Sequence, residues 1–271
     1  MFVVIERLPA LLAAAGLTAL LGGCASNDAE PETVVTLPPS APLQPAPLAA
    51  RIKAQLDLAE GYIAVGDASR ARPALERALE LDARNSTTHD LFGRLYQMQG
   101  DAELAERHFR MAVRSDGSNA RARNDYGVFL YQQGRYRDAV EQLERAAEDP
   151  DSPSRPVAYE NLGLANLKAG DRTGARSAFS RAVMLDRRMQ ISLLELAELS
   201  FGDDEFESAA NWYQRYRLVV PRQSARSLWL GLRLARAAGD VDQEASYALQ
   251  LKNLFPLSAE YQSYRETAGG G

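Results

Sequence analysis

Apolar and small residues recur along Ser86–Asn119 in two short stripes separated by a polar turn. Gly93 and Tyr96 lie three apart, Gly100-Asp101 interrupts, and Ala105, Phe109 and Ala112 follow at spacings of four and three. Spacings of three and four place residues on one face of an α-helix. The stretch therefore predicts a helix, a turn at Gly100-Asp101 and a second helix with its own apolar stripe. A helix pair of this size has a hydrophobic face that it cannot bury alone, so it needs copies of itself on either side.

The chain supplies those copies in steps of 34 residues. Ala59, Tyr62, Gly66-Asp67, Ala71, Leu75 and Ala78 mark 52–85, ahead of 86–119. Gly127, Gly134, Ala139, Leu143 and Ala146 mark 120–153. After the insertion of Ser154 and Arg155, Gly163, Gly170-Asp171, Ala175, Phe179 and Ala182 mark 156–189. Ala197, Ala209, Tyr213, Tyr216 and Pro221 mark 190–223. Gly231, Leu234, Gly239-Asp240 (one residue late), Leu251 and Pro256 mark 224–257. This pattern resembles the tetratricopeptide repeat. The resemblance implies an all-α, right-handed superhelical solenoid of about six repeats spanning 49–266, in which each unit touches its neighbours only. Helix A is expected near positions 1–14 of each unit and helix B near 18–31. Pro150, Pro153 and Pro156 predict a stiffer corner between the third and fourth units. Leu257–Glu266 suits a C-terminal capping helix with Tyr261 and Tyr264 on one side, and 267–271 is expected to be a frayed tail.

Composition narrows the function. Net charge is −5 and no Lys/Arg cluster runs along a face, which disfavours a nucleic-acid partner. There is no Gly-rich phosphate loop, no His-Glu-x-x-His and no nucleophile elbow, so the reading is a non-enzyme without cofactor, metal or small-molecule substrate. His89 and His108 have no cysteine neighbours and are assigned polar roles on the surface or in a groove. Asp203-Asp204 is read as a solvated turn, and Trp212 and Trp229 as packing residues.

The N-terminal region has its own grammar. Leu11 to Leu21 is an apolar run too short to span a bilayer comfortably. Leu21-Gly22-Gly23-Cys24 resembles a bacterial lipobox, in which small residues precede a cysteine that becomes lipidated. The resemblance assigns 1–23 to a signal peptide and makes Cys24, the single cysteine, the lipidation site. Ala25 and Ser26 follow the cysteine where an Asp would retain the protein in the inner membrane, so outer-membrane placement is expected, with the solenoid facing the periplasm. Six prolines fall between Ala25 and Leu48, making 24–48 a Pro-rich tether of extended polyproline II.

What remains is binding. The repeat template places Lys53, Leu56, Glu60, Ile63, Asp90, Arg94, Gln97, Arg121, Asn124 and Tyr131 along the concave inner face, followed by Glu160, Leu164, Leu167, Leu194, Glu198 and Phe201. Such a mixture of charged, aromatic and aliphatic residues fits a peptide or helix. Leu56 and Glu60 stand where chaperone-binding arrays carry Lys and Asn, so capture of a C-terminal carboxylate is not expected.

Lipobox, tether and repeats together resemble the type IV pilus biogenesis lipoproteins of the PilW/PilF family, the pilotins of the secretin PilQ. Tyr159–Gly163 and the block from Ser224 to Gln262 carry the resemblance most specifically. It implies a protein that guides the secretin to the outer membrane and promotes its multimerisation, hence pilus biogenesis and twitching motility. It also implies contact through the early repeats, at Leu56, Glu60, Ile63, Asp90 and Arg94. The alternative is a general scaffold lipoprotein for β-barrel assembly or cell-wall enzymes.

Overall fold

The structure, a computed structural model, describes residues 46–268, so the proposed signal peptide, Cys24 and most of the tether lie outside the described residues. Thirteen helices follow one another without a strand among the described residues. They are α1 (Leu48–Ala64), α2 (Ala68–Leu81), α3 (Ser86–Met98), α4 (Ala102–Ser115), α5 (Ala120–Gln132), α6 (Tyr136–Glu148), α7 (Arg155–Ala169), α8 (Arg172–Leu185), α9 (Gln190–Gly202), α10 (Phe206–Val219), α11 (Ala225–Ala238), α12 (Val241–Leu254) and α13 (Ala259–Ala268). The array is a tetratricopeptide-type superhelical solenoid.

Each turn between the two helices of a repeat is written in local chemistry. The chain must pass through left-handed backbone to reverse, and Gly66, Gly100, Gly134, Gly170 and Gly239 do so at φ between 72° and 87°. The Asp that follows four of these glycines caps the second helix. Asp67, Asp101, Asp171 and Asp240 accept the backbone N–H of Arg70, Leu104, Gly174 and Gln243. The fifth repeat breaks the rule, for Asp204 occupies the left-handed position at φ 59°. Asp204→Gly should therefore raise stability by about 1 kcal/mol, read as a higher midpoint in urea denaturation.

The apolar stripes pack where the spacing puts them. Ala105, Phe109 and Ala112, Ala139 and Leu143, and Ala175, Phe179 and Ala182 are wholly buried. All of these but Ala112, with Ala209, Tyr213, Tyr216 and Leu251, form a core column from the second repeat to the last, while Ala59, Ala71, Ala74 and Leu75 centre a smaller cluster at the start. Half-buried Tyr96 packs against both. The odd-numbered helices α1 to α11 touch one another in sequence, whereas each outer helix touches its own inner partner and the next. The inner helices thus form the concave layer. Residues 46–268 form one compact unit whose core is closed by its own helices.

The last helix covers the end of the stack. α13 packs on α11 and α12, and the Tyr261 and Tyr264 rings stack with centroids 6.3 Å apart. It extends through Thr267 and Ala268, which were expected in the frayed tail. There the Thr267 hydroxyl donates to the Tyr264 carbonyl at 2.9 Å.

Candidate functional site

Three inner helices build a charged cluster on the concave side of the first three repeats. α1 contributes Glu60, α3 contributes Asp90 and Arg94, and α5 contributes Arg121 and Asp125. Asp90 and Arg94, like Arg121 and Asp125, are four apart, so each pair lies on one face of its helix. Arg121 reaches past α3 and gives both terminal guanidinium nitrogens to Glu60, one at 3.2 Å. Arg94 lies between Glu60, at 3.6 Å, and Asp125, at 3.9 Å. This clasp joins the first repeat to the third across the second.

Asp90 sits underneath it. Only 1% of Asp90 is exposed, and neither carboxylate oxygen has a hydrogen-bond partner. The Arg121 Nε, 3.9 Å away, is near enough for attraction but too far for a hydrogen bond. Burial, reinforced by the neighbouring Asp125 charge, pushes the Asp90 carboxyl up to about 8, against the pull of Arg94 and Arg121. Burial raises Asp125 too, while Arg121 holds Glu60 below the usual carboxylate range. Three carboxyls face two guanidiniums, an excess of acid that protonation of Asp90 relieves.

A recess of about 520 Å³ opens beside the clasp, lined by Lys53, Leu56, Asp57, Glu60, Thr87 and Arg121. The structure thus brings together Lys53, Leu56, Glu60, Asp90, Arg94 and Arg121. Lys53 pairs with Asp57 at 2.6 Å, and half-buried Ile63 packs against the first core cluster. The remaining predicted residues lie farther along the inner face. Gln97 donates to Gln132 at 2.6 Å, Asn124 accepts from Asn161 at 2.9 Å, and Tyr131 meets Tyr136 edge to face. Leu194 is a correction, because it is buried in the core rather than offered to the groove. The continuous apolar face of α9 needs that side chain to pack both neighbouring inner helices.

A second polar cluster lies farther on. Arg226 of α11 grips Glu195 of α9 with bonds of 2.6 and 2.9 Å, and Arg233 reaches Glu198 at 2.7 Å. The Arg233 guanidinium also covers the rings of Phe201, at 4.6 Å, and Trp229, at 5.7 Å. Glu160 accepts both the amide and the hydroxyl of Ser192. Sequence reasoning passed over Asp125, Glu195, Arg226 and Arg233. Their signal is the recurrence of opposite charges one repeat apart on adjacent inner helices.

His89 is not on the surface or in the groove, and His108 is half-buried beside it. His89 is buried, its Nδ1 lies 3.3 Å from the Nδ1 of His108, and the His108 ring lies tilted against Phe92 and Tyr96, with centroids 4.9 and 5.3 Å apart. The His89 Nε2 faces the Ala83 carbonyl at 3.2 Å, which assigns its proton there and leaves Nδ1 to accept from His108. Burial and the facing ring hold His108 down at about 4, and burial lowers His89 as well. Neutral imidazoles have enough apolar surface to fill a helix crossing, which is why two polar residues could be placed inside. Among the described residues no cluster of His, Cys, Asp or Glu is arranged to hold a metal. Asp203, in the turn after α9, is exposed and pairs with Arg172 at 2.6 Å and Arg176 at 2.5 Å.

Known proteins share both the pattern and the shape. The tetratricopeptide repeat family matches residues 91–156 and 160–222. The type IV pilus assembly protein PilF of Pseudomonas aeruginosa is 37% identical over 212 residues, 78% of this chain and 84% of that protein. The solved structure of Pseudomonas aeruginosa PilF superposes with a TM-score of 0.76 at 36% identity, covering 81% of this chain and 99% of that one. The crystal structure of PilW, described as a widely conserved type IV pilus biogenesis factor, gives 0.66 at 26% identity over 79% and 97% of the two chains.

Proposed function

The chain belongs to the family of the type IV pilus assembly protein PilF, and we propose that within it this protein is the lipid-anchored factor that binds the pilus secretin, PilQ, and promotes its multimerisation in the outer membrane. The observation that carries this reading is 37% identity over 212 residues, 78% of this chain and 84% of that protein.

The mechanism follows from the parts. Two or more acyl chains on Cys24 give stable membrane affinity where one gives only reversible binding. The Pro-rich segment between Cys24 and Leu48 keeps the solenoid attached to the leaflet. A secretin subunit held in the inner groove therefore meets the membrane at a high effective concentration, without any new contact being made. The groove supports such a role because its walls are rigid helices and its polar groups are fixed by cross-repeat ion pairs.

Cys24→Ala is expected to leave a folded protein while heat-resistant secretin multimers in the outer membrane fall several-fold, as read by immunoblot of membrane fractions. Undiminished multimers at the outer membrane would refute the anchor's role. Affinity capture from detergent-solubilised envelopes should recover the secretin. Recovery of β-barrel assembly factors or cell-wall enzymes in its place would assign the protein to a different envelope assembly.

A further inference from the structure

Short connections make every helix pair antiparallel, so the C-terminus of each outer helix and the N-terminus of the next inner helix share one edge of the solenoid. In the first three repeats that edge is polar apart from Leu48 at the start of α1, with Glu80, Asp82 and Arg84, then Arg114, Asp116 and Ser118, then Glu148, Asp149 and Asp151. In the last three it changes character. Met184 and Leu218 stand 34 residues apart, at the same position of successive repeats, and each is 80% exposed. Leu185, Leu254 and Leu257 are exposed on the same edge, Leu257 at 88%, and Val157 and Ile191 emerge from the adjoining helix starts.

A lone exposed leucine means nothing, but large apolar side chains recurring in register along one edge, and replaced by charge in the other half, mark a contact surface. Its charges identify the partner. Arg187, Arg188, Arg222 and Lys252 are exposed among these apolar residues, in a chain whose net charge is −5. The acid between them, Asp186, turns its carboxylate back to accept the Arg188 amide at 2.8 Å. The surface is a row of protruding loop tips, which suits a plane better than a groove suits it.

We propose that this edge of repeats four to six lies against an anionic lipid surface, with Met184, Leu218, Leu254 and Leu257 entering the headgroup layer and Arg187, Arg188, Arg222 and Lys252 pairing with phosphates. Shallow insertion of apolar side chains beside cations is the physics of interfacial binding. The inference rests on the proposed lipid tether only for which membrane is met. It engages repeats four to six and leaves the charged groove of the first three repeats free for a protein partner.

The test uses residues 46–271, which carry the whole solenoid and neither leader nor lipidated cysteine. That chain should co-sediment with equimolar phosphatidylethanolamine–phosphatidylglycerol vesicles and poorly with phosphatidylcholine vesicles. The pair Met184→Ser and Leu218→Ser, both too exposed to disturb folding, should weaken partitioning about tenfold. Arg187→Glu with Arg188→Glu should weaken it by tenfold or more, roughly the worth of two interfacial cations. No partitioning, equal partitioning to both vesicles, or indifference to both pairs would overturn the proposal. So would self-association that Leu218→Ser abolishes in the absence of vesicles, since it would assign the edge to a second copy. Secretin is absent from this assay, so its failure and the failure of the proposed function are separate results.

Discussion

Gly163→Ala should destabilise the solenoid by up to about 2 kcal/mol, measured as a lower urea midpoint by circular dichroism. A Cβ at this position would lie 2.4 Å from Cε1 of Phe179, whose side chain is wholly buried. Overpacking of this kind costs about 1–3 kcal/mol, and here three atoms of one aromatic ring lie within 2.7 Å of the added Cβ, so the ring has to move as a whole. Alanine's higher helix propensity returns roughly 1 kcal/mol, which sets the net loss. The same substitution at Gly61, where a Cβ meets nothing within 4 Å, should stabilise instead. A double variant with Phe179→Leu should cost less than the sum of its parts, because the smaller side chain gives the methyl room. An additive result would place the damage elsewhere.

Asp90→Asn should stabilise the protein at pH 8 by about 3 kcal/mol and hardly at all at pH 4. The unfolded carboxyl ionises near 3.8, whereas the native one is held protonated up to about 8. Across that window the native state binds the extra proton, so stability falls as pH rises, by about 1.4 kcal/mol per pH unit at most. Sharing of the proton with Asp125 keeps the expected loss below that ceiling. Asparagine removes the dependence while keeping the shape. Comparing variant with parent at each pH cancels the opposite contribution of His89 and His108. Their depressed affinity for protons costs stability as pH falls through the ordinary histidine range. A stability difference that stayed flat from pH 4 to pH 8 would show Asp90 to be ionised throughout.

The two results probe different kinds of information. Gly163 and Phe179 were legible because they recur at fixed offsets, and a helix converts a fixed offset into a fixed direction. The turn glycines, the capping aspartates and the buried Ala–Phe–Ala stripes follow for the same reason. Asp204 shows how far the logic reaches, since a non-glycine at a position the template reserves for glycine keeps the turn and carries its strain. The groove was legible only as a list of directions. Lys53, Glu60, Asp90, Arg94 and Arg121 point inward by their phase, but phase could not say that Leu194 would be drawn into the core.

By itself, then, the chain's periodicity determined six helix pairs, their phase, their turns and the residues that close the column between them. Each of those depends on neighbours within about one turn of helix or one repeat. Tertiary structure alone decided that Glu60 and Arg121, 61 residues apart, clasp across an intervening helix. It also decided that Asp90 is sealed beneath them and that two histidines fill a crossing. These are sums over desolvation, charge and side-chain direction from several helices at once, and no spacing along one helix records such a sum.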